Sequence, residues 1–137
     1  VVVAVMGPGV VGTDSPLGTS AVEVAAVLDA TAALGGRPIL CPRASSGDRR
    51  PRHQGISHHT RTALGLVRSP VEVPVPPELA DDPVATTVVV PPDPTGVLHR
   101  ADLAVTTMGR GPGEDPLFFA TAAAAGAFVA RLVAERA

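Results

Sequence analysis

Short apolar runs that each end in a glycine- or proline-rich turn are the feature that most restricts how this chain can fold. Val1–Met6 runs into Gly7-Pro8-Gly9, Thr86–Val90 into the stretch Pro91 to Gly96, and Leu103–Met108 into Gly109–Gly113. Runs of this length bounded by turn residues read as strands buried on both faces. Helix signals lie between them. Thr19 or Ser20 is placed to cap a helix reaching about Leu34, with Glu23 near its positive end and Gly35-Gly36 as its stop. Pro38–Pro42 reads as a second short strand, so a right-handed βαβ unit is expected in the first 42 residues.

Further along, Ser57 is placed to cap a helix from His58 to about Val67. Prolines 70, 74, 76, 77 and 83 permit an edge strand through Val71, Val73 and Val75 but not a central one. Val97–Arg100 reads as a single turn. Asp115 with Pro116 opens a helix that reaches the C-terminus, and its lack of charge before Arg131 predicts burial on nearly all sides. Strands alternating with helices predict an α/β fold, a three-layer Rossmann-like domain with a mainly parallel sheet. A length of 137 residues suits a single domain over residues 1–137.

Composition narrows the function. At 45% hydrophobic and 18% charged the chain can bury a core. Aromatic residues are 2% of it, which removes the stacking surfaces of single-strand nucleic-acid binders, and a pI near 6.1 argues against a duplex footprint. No nucleic-acid partner is expected. All eleven basic residues are arginine, so neither a P-loop lysine nor a Schiff-base lysine exists. The one cysteine, Cys41, excludes an internal disulfide and a cysteine-built zinc site, and its apolar surroundings read as a buried, inert thiol. No apolar run is read as reaching the roughly 18–20 residues of a membrane span. A cytoplasmic location without a membrane partner is the expectation.

Charge is unevenly spread. Residues 37–68 hold seven arginines (37, 43, 49, 50, 52, 61 and 68) against the single acid Asp48, whereas the rest of the chain is acidic. Such a basic block points to an anion site or an intramolecular partner. Within it, Gly47 to Arg61 carries four arginines and the histidines His53, His58 and His59. His58 and His59 fall in the first turn of the predicted helix, where the positive dipole end lowers imidazole basicity. Neutral imidazole serves as base, electrophile or metal ligand. If the chain is an enzyme, His58 or His59 is the general base. Adjacent helical residues point about 100° apart, so one of the two is expected at a given site. His53, His58 or His59 with His99 would give three histidines with Asp48 in support, but that spacing matches no established metal motif, and no metal residue is assigned.

Two glycine-rich turns supply backbone donors. Gly7-Pro8-Gly9-Val10-Val11-Gly12 satisfies GxGxxG after a strand, although the next helix starts some seven residues later and Arg43 and Ser45, not an acid, follow the second strand. An arginine there would suit a 2′-phosphate, but the simpler reading is a turn leaving a buried strand. Met108 to Asp115 repeats the logic before the last helix. Candidate ligand contacts are therefore Gly7, Gly9, Arg52, Arg61, Gly109, Arg110 and Gly111, with the arginines as clamps on phosphate or carboxylate. No cofactor is assigned.

The strings MGPGVVGT (Met6–Thr13), RPRHQGISHHTRTALGLV (Arg50–Val67) and TTMGRGPGEDPLFFATAAAAG (Thr106–Gly126) resemble the C-terminal part of a bacterial family of uncharacterised proteins, domain-of-unknown-function family 3866. The resemblance spans nearly the whole chain, least well over Val71 to Ala85. It implies a bacterial protein, found largely in actinobacteria and firmicutes, with a longer N-terminal part, and it assigns no activity. Two functions remain open. One is binding of a small anionic ligand at the glycine-rich and His/Arg-rich loops. The other is a non-catalytic structural or regulatory module that forms a homo-oligomer through its apolar C-terminal helix.

Overall fold

Three of the four α-helices among the described residues form where the local signals place them. The protein is described here by a computed structural model covering residues 1–5, 12, 13 and 15–135. Helix α1 (Glu23–Ala33) follows a 3-10 turn at Ser20–Val22, whose first N–H groups include that of Ala21, bonded to the Thr19 hydroxyl at 3.2 Å. It is closed by Gly35 at φ +76°, a left-handed conformation that glycine adopts without strain. Ser57 caps α2 (His58–Leu66) by accepting the His59 N–H. A full helix α3 (Pro94–Arg100) replaces the expected single turn. Pro94 takes its first position and the Asp93 carboxylate accepts the N–H groups of Thr95 and Gly96 at 3.1 and 2.9 Å. The last helix, α4, spans Pro116–Ala134.

The strands depart from expectation. β1 (Ala44–Ser45) pairs antiparallel with β2 (Gly55–Ile56), and β3 (Pro74–Val75) pairs parallel with β4 (Thr87–Val88). Outside these strands, a lone parallel bridge joins Ile39 to Glu72. The chain is therefore not a three-layer Rossmann-like domain with a mainly parallel sheet; among the described residues its sheets are two-stranded, one antiparallel and one parallel. An apolar run becomes a strand only where a neighbouring chain meets its N–H and C=O groups along its length. Val1–Val5 forms no strand, and Val1, Val2, Val3 and Val5 are 79–94% exposed. Leu103 and Val105 are exposed too, and no strand forms there. Pro74 lies inside β3 and Pro76 just beyond it, each without the N–H that a longer ladder would use.

The core gathers around β3. Val73 and Val75 are buried with Ala44 and Ile56 from the antiparallel pair and with Leu79. A second cluster joins Val89 to Ala124 and Phe128 of α4, so the last helix lies against the parallel pair. Each such Val, Ile or Phe side chain contributes about 1.5–3 kcal/mol by leaving water. α4 buries Phe119, Thr121, Ala124, Ala125 and Phe128 but leaves Ala122, Gly126 and Ala130 exposed. It is buried on one face rather than nearly all round. It is also long and apolar enough to cross a membrane by length and composition, which corrects the reading of the apolar runs. Cys41, expected to be buried, is exposed.

Candidate functional site

The start of α4 is joined to the loop after β1 by one buried carboxylate. Asp115 occupies the N-cap position but makes no capping bond. Its carboxylate instead accepts the Ser45 hydroxyl at 2.6 Å, the N–H groups of Ser46 and Gly47 at 2.8 and 3.2 Å, and Arg110 Nε at 3.1 Å. Ser46 then supplies the hydroxyl that accepts the Leu117 N–H at 3.4 Å, doing for α4 what its own cap does not. The two loops touch at Gly47, where an added Cβ would stand 2.4 Å from the Glu114 carbonyl oxygen. Burial disfavours the Asp115 charge, but the hydrogen bonds from Ser45, Ser46, Gly47 and Arg110 outweigh it and hold the carboxyl below its ordinary range.

Arg110 is aimed by a strained turn. Thr107 and Arg110 exchange backbone bonds at 2.8 and 2.9 Å, and the intervening Met108 and Gly109 both take positive φ, +51° and +78°. That is the two-residue hairpin geometry in which glycine is unstrained and a methionine costs about 1–2 kcal/mol. Strain of this kind persists where the surroundings over-determine it.

Asp48, the lone acid of the basic block, is 4% exposed and gathers three guanidiniums. Arg50 Nη2 lies 2.8 Å from Asp48 Oδ2, Arg43 Nη2 3.4 Å and Arg110 Nη2 3.8 Å. The hydrogen bonds from Arg50 hold the Asp48 carboxyl well below the usual carboxylate range despite its burial. Asp48 and Asp115 together balance two of these three positive charges.

Beside this network stand three imidazoles. Ring centroids are 4.0 Å apart for His58 and His59, 5.1 Å for His53 and His58, and 5.2 Å for His53 and His59. The expected divergence of the adjacent pair is not observed; both rings turn toward His53. His53 is 3% exposed, and its Nδ1 lies 2.8 Å from the Ser57 hydroxyl. Ser57 is wholly buried, so one hydroxyl both caps α2 and fixes the His53 ring. Gly12 packs on His59 so closely that a Cβ there would lie 2.7 Å from the ring. Burial first, then the charge of Arg50, pushes His53 down to about 4. Burial and the neighbouring His58 also lower His59. His53 is thus a neutral imidazole near pH 7.

The residues expected to form a site are distributed as follows. His58, His59 and Arg110 lie within this region, with Arg110 engaged by Asp48 and Asp115. Gly109 provides the turn that directs Arg110, and the Gly111 N–H is bonded to Glu114 at 2.9 Å. Arg61 is instead paired with Asp82, with a contact of 2.5 Å. Arg52 is exposed and adds positive potential at His59. Gly7 and Gly9 lie outside the described residues. His99 stands apart on α3, and the third histidine is one of the neighbouring set. Gly12, Arg43, Ser45 and Ser57 were not singled out as site residues. A lone acid amid seven arginines is the signal that marked Asp48, and Gly12 closes the GxGxxG string.

Among the described residues, four α-helices and two two-stranded sheets thus carry a cluster of histidine, arginine and aspartate side chains beside the apolar core. The family model for proteins of unknown function DUF3866 matches residues 1–126, and the chain belongs to that family. No curated protein and no solved structure matches it.

Proposed function

We propose that the chain binds a small anionic ligand, bearing phosphate or carboxylate, where the loop from Arg43 to His59 meets the turn at Arg110. One observation carries this. Among the described residues, the buried side-chain polar atoms without a hydrogen-bond partner are Arg43 Nε, Arg110 Nη2, His58 Nε2 and His59 Nδ1. All are nitrogens, and the guanidinium atoms can only donate. A buried unsatisfied donor costs about 1–3 kcal/mol, and more when charged. Oxygens of an anionic ligand would satisfy such atoms, and the unbalanced guanidinium charge favours them. Arg43 and Arg110 are the clamps in this reading, with Arg61 serving Asp82 instead.

The test is thermal unfolding of the chain with inorganic phosphate, phosphorylated sugars, nucleotides and dicarboxylates. A ligand at 100 times its Kd stabilises by about 2.7 kcal/mol, a shift of several degrees at this size. Arg43→Gln should abolish the shift while leaving the ligand-free transition close to that of the parent. No shift with any of these compounds, or an equal shift in the variant, would refute the assignment. A second reading, a homo-oligomer formed through α4, draws support from the exposed face of small residues at Ala122, Gly126 and Ala130.

A further inference from the structure

We infer that His53, His58 and His59 bind a divalent transition-metal ion of the zinc class. Each ring offers one nitrogen, and the three lie within 4.8 Å of one another. The set is made wholly of imidazole. Such ligands suit zinc, copper, nickel and iron, whereas calcium and magnesium take oxygen. The metal assignment stands on the histidines alone and does not need the anion reading, although it claims two of the unpartnered nitrogens, His58 Nε2 and His59 Nδ1, that the anion reading cites.

Three features of the cluster go beyond proximity. First, His58 Nε2 and His59 Nδ1 are buried without any hydrogen-bond partner among the described residues. Core histidines kept for packing use both ring nitrogens, since an unmet one costs free energy. Second, His53 has its Nδ1 held by the Ser57 hydroxyl at 2.8 Å, which leaves Nε2 as its ligand atom. Metal-binding histidines are oriented by such outer bonds through their second nitrogen. Third, the rings are tilted by 35–53° to one another rather than stacked face to face, with centroids no more than 5.2 Å apart. Glycine at position 12 permits a close approach to the His59 ring at Cε1 and Nε2.

Geometry sets the adjustment required. Nitrogens at about 2.1 Å from a tetrahedral zinc are separated by roughly 3.4 Å. The ligand nitrogens must therefore draw together by up to about 1.4 Å while the His58 and His59 rings, 4.0 Å apart, swing apart, a rotamer change open to side chains that are only partly buried. Three protein ligands leave the fourth position open. The surrounding charge decides what fills it. Arg43, Arg50 and the positive end of α2 oppose a bare dication, with Asp48 offsetting part of their field. An anionic oxygen on the ion removes the conflict, so metal and anion binding should reinforce each other. That coupling alone rests on the anion reading.

The experiment uses the whole chain, stripped of metal, in a buffer free of phosphate and carboxylate. Zinc or cobalt(II) alone is titrated and the bound ion counted after dialysis. One ion per chain is expected, with the intense visible bands of tetrahedral cobalt. His58→Ala and His59→Ala should each weaken binding at least tenfold. Imidazole NMR resonances of the unaltered chain provide a readout that depends on no variant, and zinc should shift three histidines while sparing His99. No ion retained, affinity unchanged in both variants, or ring signals that do not respond would overturn the inference. Phosphate is then titrated with and without zinc. Metal uptake with no phosphate response upholds the metal site and removes the anion reading, and a phosphate response without metal uptake does the reverse.

Discussion

Replacing Asp115 with alanine should be among the most damaging single changes in this protein, for reasons its surroundings make quantitative. The carboxylate is completely buried and accepts four hydrogen bonds of 3.2 Å or less, from Ser45, Ser46, Gly47 and Arg110. Bonds to a charged partner contribute about 1.5–3 kcal/mol each, but they share one acceptor and do not add. Removing one member of a buried ion pair costs about 3–5 kcal/mol because the other charge is stranded. For Asp115→Ala about 4 kcal/mol is therefore expected, a large part of the roughly 5–15 kcal/mol that a domain possesses. Asp115→Asn separates charge from shape. Its amide oxygen can still accept from Ser46 and Gly47, and its NH2 can donate to Ser45, but it must then face Arg110 Nε, donor against donor. About 2–3 kcal/mol is expected, most of it from Arg110. Equilibrium urea unfolding at neutral pH is the assay. With a slope near 2 kcal/mol/M, the alanine variant should unfold at about 2 M less urea. Adding Arg110→Gln to Asp115→Ala should recover part of the loss, because the stranded charge goes. An alanine variant within about 1 kcal/mol of the parent, or a double variant no more stable than Asp115→Ala alone, would refute the reasoning.

Acid should weaken the fold in two stages. An unfolded histidine titrates near 6.5 and folded His53 at about 4, so the unfolded chain binds more protons between these values and stability falls as pH drops through that window. Asp48 and Asp115 have folded pKa values below 3.8, so their contribution is complete above that value and is lost only on further acidification; urea midpoints measured against pH check both stages. For α4, a Cβ added at Gly126 meets nothing within 4 Å, so Gly126→Glu should leave an isolated chain as stable or slightly more so. If α4 pairs with a second copy, the same change should reduce the mass measured by light scattering to the 13.8 kDa of one chain, and an unchanged larger mass would remove α4 from the interface.

The local signals in this chain identified α1, α2 and α4, gave only a single turn for α3, and left its strands and its site to tertiary structure. α2 begins after Ser57 and α4 at Pro116 as expected, and the cap at Thr19 is formed, because a cap is settled within about four residues of chain. The apolar runs carried no equivalent information. Val1–Val5 and Leu103–Val105 have strand composition, yet a strand exists only when another segment presents its backbone in register, and that partner is not encoded in the run. Local signals likewise marked His53, His58 and His59 through the density of basic groups about Asp48, and Arg110 through its glycine-rich turn. They could not show that the His58 and His59 rings stand 4.0 Å apart, because that depends on the tertiary packing around them, such as Gly12 against His59. Nor could they show that Asp115 would forsake its own helix for Ser45 and Arg110. A buried carboxylate goes where the most donors meet it, and those donors come together only when the chain, nearly seventy residues apart in sequence, has folded.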